Sequence, residues 1–419
     1  MNDAPMSTKT TTDRLAIDGG APVRDTMARP WPAWPVFDRT EEEALQRVLH
    51  SGAWWSVPGT EGKAFEKEFA RLQDAEFGVA CANGTVAVEV ALRALGIGCG
   101  DEVIVPAYTF VATASAVLGI GAVPVFVDVD PDTLNIDAAA VAAAVTPRTS
   151  AVIPVHIAGR PADMDAVLAV ARDRGLAVVE DAAQAHAATW RGKRVGALGD
   201  IGSFSFQASK NLNAGEGGIV VSNREEVADA AWSVVNIGRV RNGGWYEHQV
   251  YGSNFRLTEF QSAILRTQLA RLPQQTERRT ICAAALRAGL GQIEGIRLPI
   301  EDPRITCHAY HLFTFRYSAA AFGGRPLSAF LQALAAEGVP CSDGYIPLYR
   351  EGLFVRHAAR QDHCCHEGRH IDYPSLHLPA CEEICRDNVW LEQSLLLSEP
   401  SDMDDIATAV ARIQAAWTA

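Results

Sequence analysis

The chain has 419 residues, 48% of them hydrophobic and 21% charged, which is the composition of a folded protein with a large domain and a smaller one. Its 37 basic and 50 acidic residues give a net charge of −13, which argues against a nucleic-acid or anionic-membrane partner. No apolar run approaches the ~20 residues needed to cross a bilayer, and residues 1–14 are expected to form a disordered tail.

The nine cysteines do not make a disulfide framework in a chain of this length, and they favour a reducing cytoplasm as its location. One segment and its surroundings contain several residues that can bind a metal: His363, Cys364, Cys365, His366, His370, Cys381 and Cys385. Their spacings do not give the two Cys-x2-4-Cys or His-x3-5-His pairs of a structural zinc site. We therefore predict unpaired thiols and no metal site.

The N-terminal region is predicted to contain an extended arm and two helices. The proline- and tryptophan-rich run 29–35 disfavours helix, and the acidic run after Thr40 begins the first helix. Trp54 and Trp55 lie in a glycine-bounded loop, where they either pack in the core or form the wall of a pocket. The second helix covers about Glu61 to Leu72.

From there, short apolar runs alternate with helical segments. The predicted strands are 79–81, 103–106, 123–129, 151–156, 177–181 and 202–206, and the predicted helices are 86–95, 108–118, 138–144 and 163–174. This alternation predicts a mostly parallel sheet covered by helices on both faces. Ligands of such sheets bind beyond the carboxyl ends of the strands, where residues 83–85, residues 108–110, Asp181 and Lys210 are all expected.

Lys210 lies among small polar residues and is followed by the glycine-rich run 215–218. A lysine beside glycines is more often part of a solvated turn. Here, however, an apolar strand ends at Asp181, about one strand and loop earlier. A neutral lysine amine can form an imine with an aldehyde, and a carboxylate can keep a pyridine nitrogen protonated. The pair therefore predicts a site for pyridoxal 5′-phosphate (PLP).

The C-terminal part is predicted to form a second, smaller domain. A helix begins at Thr258 and runs to about Leu272, where Pro273 is expected to break or kink it, and a further helix covers about 275–290. A strand at 311–317 and helices at 328–337 and 403–417 follow. The predicted division is a large PLP-binding domain with its arm at 15–272 and a small domain at 273–419.

Five motifs lie at residues 83–85, 180–186, 203–210, 215–218 and 252–254. On these motifs the chain resembles the DegT/DnrJ/EryC1/StrS family of sugar and cyclitol aminotransferases, from about Leu15 to its C-terminus. The resemblance implies the fold-type I architecture of PLP enzymes, with a large α/β domain and a smaller C-terminal α/β domain. The aminotransferases of aminocyclitol antibiotic pathways and the 3-amino-5-hydroxybenzoate synthases look nearest.

The resemblance also implies roles for individual residues. Lys210 would be the Schiff-base lysine and Asp181 the partner of the pyridinium nitrogen, and Phe110 and Gln184 would contact the cofactor ring. The full set of predicted cofactor-binding residues is Gly84, Thr85, Phe110, Asp181, Gln184, Ser205, Lys210 and Asn254. The amides of Gly84 and Thr85 at a helix N-terminus and the Ser205 hydroxyl would hold the phosphate. Asn254 would reach the phosphate in a neighbouring subunit, which implies a homodimer with shared sites.

The substrate pocket is less well defined by the sequence. The predicted substrate-binding residues are Trp54, Trp55, Tyr108, Arg239, Tyr310 and Tyr345. Arg239 is assigned to the α-carboxylate of the amino donor, whereas core packing is the competing role for Trp54 and Tyr108. His186 is assigned to the catalytic group, where it either faces the substrate or holds the Asp181 carboxylate in place.

Transamination is the leading interpretation, with L-glutamine or L-glutamate as amino donor and a keto-sugar or keto-cyclitol as acceptor. Two alternatives stay open: an aromatising dehydration like that of the 3-amino-5-hydroxybenzoate synthases, and a PLP-binding protein that regulates a partner without turnover. Intact Lys210, Asp181 and Gln184 argue against the second alternative. The chain departs from the family pattern at Asn213-Ala214 and at Ala187, near the substrate side, which weakens any inference about the identity of the substrate.

Overall fold

The computed structural model describes residues 14–358 and 372–419. The α-helices of these residues are α1 (Arg39–Ser51), α2 (Glu61–Leu72), α3 (Gly84–Ala94), α4 (Val111–Gly119), α5 (Ala138–Ala144), α6 (Met164–Arg174), α7 (Glu225–Val235), α8 (Glu259–Leu290), α9 (Leu327–Ala336), α10 (Gly352–Ala358), α11 (Pro379–Asp387) and α12 (Met403–Thr418). No helix of the described chain is long and apolar enough to cross a membrane.

The strands form three sheets. They are β1 (Phe77–Cys81), β2 (Glu102–Pro106), β3 (Val123–Val127), β4 (Thr149–Val152), β5 (Ala177–Asp181), β6 (Thr189–Trp190), β7 (Lys193–Arg194), β8 (Ile201–Ser205), β9 (Gly218–Ser222), β10 (Ile296–Arg297), β11 (Ile305–Cys307), β12 (Leu312–Tyr317), β13 (Ser342–Asp343) and β14 (Asn388–Glu392). The largest sheet has the order β1-β9-β8-β5-β4-β2-β3. Strands β8, β5, β4, β2 and β3 pair in parallel, and β9 is antiparallel to both of its neighbours. The predicted mostly parallel sheet is confirmed.

Both faces of this sheet are covered, because successive side chains of β2 are buried in different cores. Val103 and Val105 are buried in one core with helices α3, α4 and α7, whereas Ile104 is buried in the opposite core. Successive side chains of a strand point to opposite faces, so a continuous apolar run fits a strand that is buried on both sides. The polar residues at the strand ends are therefore the ones left to form a site.

Helix α8 connects the large sheet to the C-terminal sheet β10-β12-β14-β13. The expectation of two helices separated at Pro273 is wrong, because Pro273 lies inside one continuous helix. Leu265 and Leu272 are buried in the core of the large sheet, and Leu286 and Leu290 in the core of the small sheet. Each such side chain contributes about 1.5–3 kcal/mol, which offsets the ~3 kcal/mol cost of an interior proline. The domain division at residue 273 stays a prediction.

Several predicted boundaries differ from the structure at the carboxyl edge of the sheet. Helix α4 begins at Val111 rather than at Tyr108, with Phe110 as its extended N-cap, and strands β3 and β4 end at Val127 and Val152. The Ala107 amide instead donates to the Val127 carbonyl at 3.0 Å, which holds this segment on the sheet edge. The later helix start places Phe110 at the edge where ligands bind.

We predicted no metal site among the histidines and cysteines of residues 363–385, and the structure describes only part of this segment. His363, Cys364, Cys365, His366 and His370 lie outside the described residues. The sulfurs of Cys381 and Cys385 are 3.9 Å apart, and the described part of the chain contains no cluster of three potential metal ligands.

Candidate active site

Lys210 lies in the loop between β8 and β9, beyond the carboxyl end of β8. Its backbone closes a turn by donating to the Gln207 carbonyl at 2.9 Å. Burial of the amine lowers the pKa of Lys210 to about 8, although the nearby Asp181 carboxylate raises it in part. At pH 7 about a tenth of such an amine is neutral, far more than of a lysine with the ordinary pKa of about 10.4. Lys210 is therefore prepared to act as a nucleophile and as a base.

Asp181 ends β5, and its carboxylate is fixed by donors on two elements. The Thr113 hydroxyl donates to Asp181 Oδ2 at 2.7 Å, and the Ala183 amide donates to Oδ1 at 3.2 Å. The Thr113 and Thr109 hydroxyls are 3.1 Å apart, so helix α4 and the loop before it support this contact. The residue is only 6% exposed. A buried carboxylate of fixed direction is suited to binding a protonated ring nitrogen.

The neighbouring Glu180 has a different role, because it points to the opposite face of the sheet. Its carboxylate accepts hydrogen bonds of 2.6–2.7 Å from three amides of the loop 196–199 and lies 3.0 Å from His156 Nε2. Glu180 is completely buried. The two consecutive acids therefore divide into one that holds a loop and one that faces the site.

The N-terminus of helix α3 meets β8 in a close approach. The Asn83 side chain caps the helix by accepting from the Val86 amide at 2.9 Å. No acceptor among the described residues pairs with the amides of Gly84 and Thr85. A Cβ at Gly84 would lie 2.5 Å from the Ser205 Cβ, so only glycine permits this approach. Free amides at a helix N-terminus, beside a serine hydroxyl, suit an anion such as phosphate, and this role stays a prediction for these residues.

Gln184 is held between the two domains. Its Oε1 accepts from the Ala158 amide at 2.6 Å, and its Nε2 donates to the Tyr345 hydroxyl at 3.0 Å. Burial raises the pKa of Tyr345, which keeps this hydroxyl protonated. The Phe110 ring lies 6.4 Å from the Tyr345 ring and is 54% exposed, so one face is available to a flat ligand. The structure thus brings together Phe110, Gln184 and Tyr345, whose contacts with cofactor and substrate stay predictions.

Tyr108 lies beneath this group and is 1% exposed. Its hydroxyl forms hydrogen bonds with the Asn388 amide group at 2.8 Å and the Trp390 indole N–H at 3.2 Å. The ring packs edge-on against Tyr345 at 5.5 Å. In this structure Tyr108 is a packing residue between the domains, and a substrate contact stays a prediction for it.

His186 does not hold the Asp181 carboxylate, so that part of the prediction is wrong. The ring is completely buried, and neither nitrogen has a hydrogen-bond partner in the described structure. It lies 5.7 Å from the rings of Phe204 and Phe206 and 6.3 Å from Phe69. Burial in this apolar cage, and then the charge of Lys210, lower the pKa of His186 to about 3. His186 is therefore a neutral ring behind the lysine.

This depressed pKa makes a prediction about acid stability. The folded state keeps His186 neutral, whereas the unfolded chain binds a proton below pH ~6.5, so stability falls as the pH drops through that value. With a folded pKa of about 3, His186 alone costs about 2 kcal/mol of unfolding free energy between pH 7 and pH 5. We expect His186→Leu to flatten this pH dependence in urea titrations. The exposed His50→Leu is the control, and an identical slope in the two variants would contradict the prediction.

The sequence analysis missed His311, which lies on the small domain close to Lys210. Its Nδ1 is 3.2 Å from Asn211 Oδ1, and Asn211 Nδ2 donates to the Ala309 carbonyl at 2.7 Å. Burial and the charge of Lys210 hold the pKa of His311 well below its usual range. His311 is 101 positions from Lys210 in the sequence, and no local pattern indicates that the two are close. The role of Thr113 could have been predicted, because it lies one helical turn after Phe110 in the helix that follows strand β2.

Trp55 and Arg239 belong to an outer cluster that no hydrogen bond or ring contact of the described residues joins to Lys210, and the Trp54 ring packs on Phe260 at 5.9 Å. The Arg239 guanidinium stacks 4.2 Å from the centre of the Trp245 ring, and Trp55 packs edge-on against Trp245 at 6.3 Å. Trp54 and Trp55 are 51% and 42% exposed. Asn254 is also exposed. Within one chain these predicted residues lie apart from the lysine.

Tyr310 is also separate from the Gln184 and Tyr345 pair. Its ring stacks on His308 with 3.9 Å between the ring centres, and it lines a cavity at the junction of the domains. The residue has a positive φ of 49°, in the left-handed region that non-glycine residues rarely adopt. A substrate contact through Tyr310 stays a prediction.

Comparison with known proteins gives matches along nearly the whole chain. The model of the DegT/DnrJ/EryC1/StrS aminotransferase family matches residues 35–390. The L-glutamine:2-deoxy-scyllo-inosose aminotransferase of Streptoalloteichus tenebrarius is 41% identical over 95% of this chain and 97% of its own length. The 3-amino-5-hydroxybenzoate synthase of Amycolatopsis mediterranei is 40% identical over 92% of this chain and 98% of its own.

Among solved structures, an aminotransferase from Psychrobacter cryohalolentis has the same fold. It superposes with a TM-score of 0.85 and 33% sequence identity, covering 93% of this chain and 100% of that chain. The fold-type I architecture predicted from the motifs is confirmed by this similarity and by the strand order of the large sheet.

Proposed function

The chain belongs to the DegT/DnrJ/EryC1/StrS aminotransferase family, and we propose that it binds PLP and moves an amino group from L-glutamine or L-glutamate to a keto-cyclitol or keto-sugar. Membership of the family confirms the resemblance predicted from its motifs. The observation that carries the proposal is the Lys210 amine, whose pKa burial lowers to about 8 beside the Asp181 carboxylate. That pair lies at the carboxyl edge of a parallel sheet, where such folds bind ligands.

The residues present fit PLP in each of its parts. The free amides of Gly84 and Thr85, with the Ser205 hydroxyl at the closest approach of helix and strand, suit the phosphate. The exposed face of Phe110 suits the ring, and the carboxylate of Asp181 suits the pyridine nitrogen. Each group supplies the donor, acceptor or surface that the corresponding part of the cofactor requires.

Bound PLP supplies an electron sink that stabilises negative charge at the carbon bearing the amino group. Asp181 would hold the proton on the pyridine nitrogen, and Thr113 keeps the carboxylate directed at it. The Lys210 amine would take the proton from the α-carbon of the amino donor and return a proton to the acceptor carbon. Tyr345 and Gln184, which are hydrogen-bonded to each other, would orient the reacting groups and exclude water on the small-domain side.

The choice of substrate rests on the similarity to the cyclitol aminotransferase described above. A cyclitol presents a hydroxyl at every ring edge, so its pocket must offer hydrogen-bond partners, and each unpaired hydroxyl costs about 1–3 kcal/mol. A second candidate is an aromatising dehydration, because a 3-amino-5-hydroxybenzoate synthase is 40% identical over 92% of the chain, nearly as similar as the cyclitol aminotransferase. Mass spectrometry of products from keto-inositols, keto-sugars and aminodehydroquinate analogues separates the two.

A single-turnover experiment separates a catalyst from a PLP-binding regulatory protein. Enzyme loaded with PLP is mixed with L-glutamine in the absence of any acceptor. An aminotransferase retains the amino group and releases one equivalent of the corresponding 2-oxo acid per active site, which mass spectrometry counts. A protein that only binds the cofactor releases none, and that result would remove the proposed function.

We further propose an active homodimer with shared sites. Asn254 is exposed, and no hydrogen bond of the described residues involves its side chain, so the side chain is available to a second subunit. Several large rings in the preceding segment 245–251 are exposed as well, among them Trp245, Tyr246 and Tyr251 at 51%, 85% and 75%. An apolar surface of this kind is typical of a subunit interface.

Mixed dimers test this arrangement. We expect Lys210→Ala and Asn254→Ala to be inactive or weak alone, and a mixture with subunit exchange to regain part of the activity. A heterodimer would carry one site with both substitutions and one intact site. Recovery is measured after exchange has been verified by native mass spectrometry. Without recovery, Asn254 would be a local structural residue of its own chain.

A further inference from the structure

A cavity of about 450 Å³ opens at the junction of the two domains, away from Lys210. Its walls come from helix α8, strand β12 and the segment 299–308, and the stacked rings of His308 and Tyr310 form one side. This volume lies within the range of about 300–1,000 Å³ that small-molecule sites occupy. The residues that line it include neither Lys210 nor Asp181 nor Gln184.

Arg160 lines this cavity, and its guanidinium has no ion pair among the described residues. Arg160 is 7% exposed, its Nε has no acceptor, and no carboxylate of the described residues forms an ion pair with it. A buried charge without a counter-ion is costly, and burial accordingly lowers the pKa of Arg160. Buried charged groups are usually paired, so an arginine without a counter-ion is a candidate for binding an anionic ligand.

The acids near Arg160 are already paired with other groups. Asp302 accepts from the Arg304 guanidinium at 2.7 Å, and Asp130 accepts from the backbone amides of residues 132 and 133 at 2.8–2.9 Å. A second cation, Arg287, lines the same cavity, forms an ion pair with the 82% exposed Glu301 at 3.2 Å and donates to the Pro299 carbonyl at 2.8 Å. Arg160 and Arg287 therefore line the cavity together with Glu301 and Asp302, and of these four only Arg160 has no ion pair among the described residues.

The remaining walls indicate the kind of anion. His308 Nδ1 accepts from the Tyr310 amide at 2.8 Å, so the neutral ring carries its proton on Nε2 as a donor. Leu312 and Phe313 add apolar surface. A planar guanidinium fork with one ring donor and apolar walls matches a carboxylate on a carbon skeleton better than a fully hydrated inorganic anion.

We propose that this cavity is a second ligand site, in which Arg160 binds a small organic carboxylate. The site is distinct from the proposed active site but directly behind it. The Ala158 amide donates to Gln184 Oε1 on one side of the segment, and Arg160 enters the cavity on the other. The backbone φ angles of Ala158 and Gly159, the two residues before Arg160, are positive, at 57° and 88°. Through this turn Ala158 contacts Gln184 and Arg160 lines the cavity.

The test is calorimetric titration of the PLP-loaded enzyme with glutarate, an unreactive dicarboxylate. We expect one saturable site for glutarate in the wild type. Arg160→Gln should lower the affinity of this site by about tenfold or more, because the bidentate charge-assisted contact is lost. Glutarate bound near Lys210 would be unaffected by this substitution, so the difference isolates the cavity. The control is Arg172→Gln, which removes an exposed arginine of helix α6 and should leave the affinity unchanged.

Two further measurements keep the result decisive. Arg160→Lys preserves the positive charge but lacks the planar, bidentate guanidinium. A folded Arg160→Lys variant that binds glutarate about tenfold more weakly than the wild type supports the proposal. Inorganic phosphate is titrated in parallel, and tight phosphate binding with no glutarate binding would overturn the assignment to carboxylates. Equal glutarate affinity of wild type and Arg160→Gln, or no saturable binding in the wild type, would overturn the site itself.

Discussion

Lys210→Ala is expected to abolish amino transfer, with a loss of at least about 10⁴-fold, because one amine serves as the cofactor's attachment point and as the proton carrier. The amides at the start of α3 and Ser205 remain, so PLP should still bind through its phosphate. Lys210→Arg should be equally inactive, since its guanidinium stays protonated and cannot attack an aldehyde.

Borohydride reduction of the PLP-loaded enzyme, followed by peptide mapping, locates the attachment point directly. We expect the label on the peptide that contains Lys210 and on no other lysine. The control is Lys67→Ala, on the exposed face of helix α2. This variant should be labelled at Lys210 and should transfer amino groups at the wild-type rate. A label on another lysine would contradict the assignment.

Asp181→Asn is expected to keep the fold and to lose about 10³-fold or more in the rate of amino transfer. Asparagine can still accept the hydrogen bond from Thr113, so the melting temperature should change little. A neutral amide does not keep the pyridine nitrogen protonated, so charge that develops at the reacting carbon is no longer stabilised.

The rate is measured by stopped-flow mixing of PLP-loaded enzyme with L-glutamine. The exposed Asp173→Asn, at the end of helix α6, is the matched control for the change of charge. Turnover of Asp181→Asn within about tenfold of the wild type would remove Asp181 from the reaction.

The local part of this fold was readable from the sequence. Helix α2, helix α5 and strand β5 have the predicted bounds, because apolar periodicity and caps act over a few residues. Lys210 and Asp181 were found for the same reason, since each follows a short apolar strand and belongs to one edge of a parallel sheet.

Long-range packing decided the rest. Helix α8 continues through Pro273 because two separate cores bury its two halves, and no local pattern contains that information. His186 was assigned to Asp181 from their closeness in sequence, but its ring turns into a cage of phenylalanines. The approach of His311 to Lys210, and of Arg160 to Tyr310, depends on how the small domain docks.

The same limit applies to the residues proposed to contact substrate. Tyr345 reaches Gln184 within one chain, whereas Arg239 and Trp55 lie in the outer cluster. Under the proposed dimer, that cluster belongs to the site of the neighbouring subunit. Trp55, Arg239 and Tyr345 lie outside the five sequence motifs, and no local pattern indicates which subunit's site they complete.

The central claim is amino transfer from glutamine to a polyhydroxylated cyclic ketone. It is tested most directly by comparing kcat/KM for 2-deoxy-scyllo-inosose and for pyruvate, with L-glutamine as the common donor. We expect the cyclic ketone to be preferred by at least about 100-fold, because a pocket built for ring hydroxyls leaves its polar groups unpaired around a short keto acid. Equal or better use of pyruvate would contradict this account and leave an aminotransferase of general specificity.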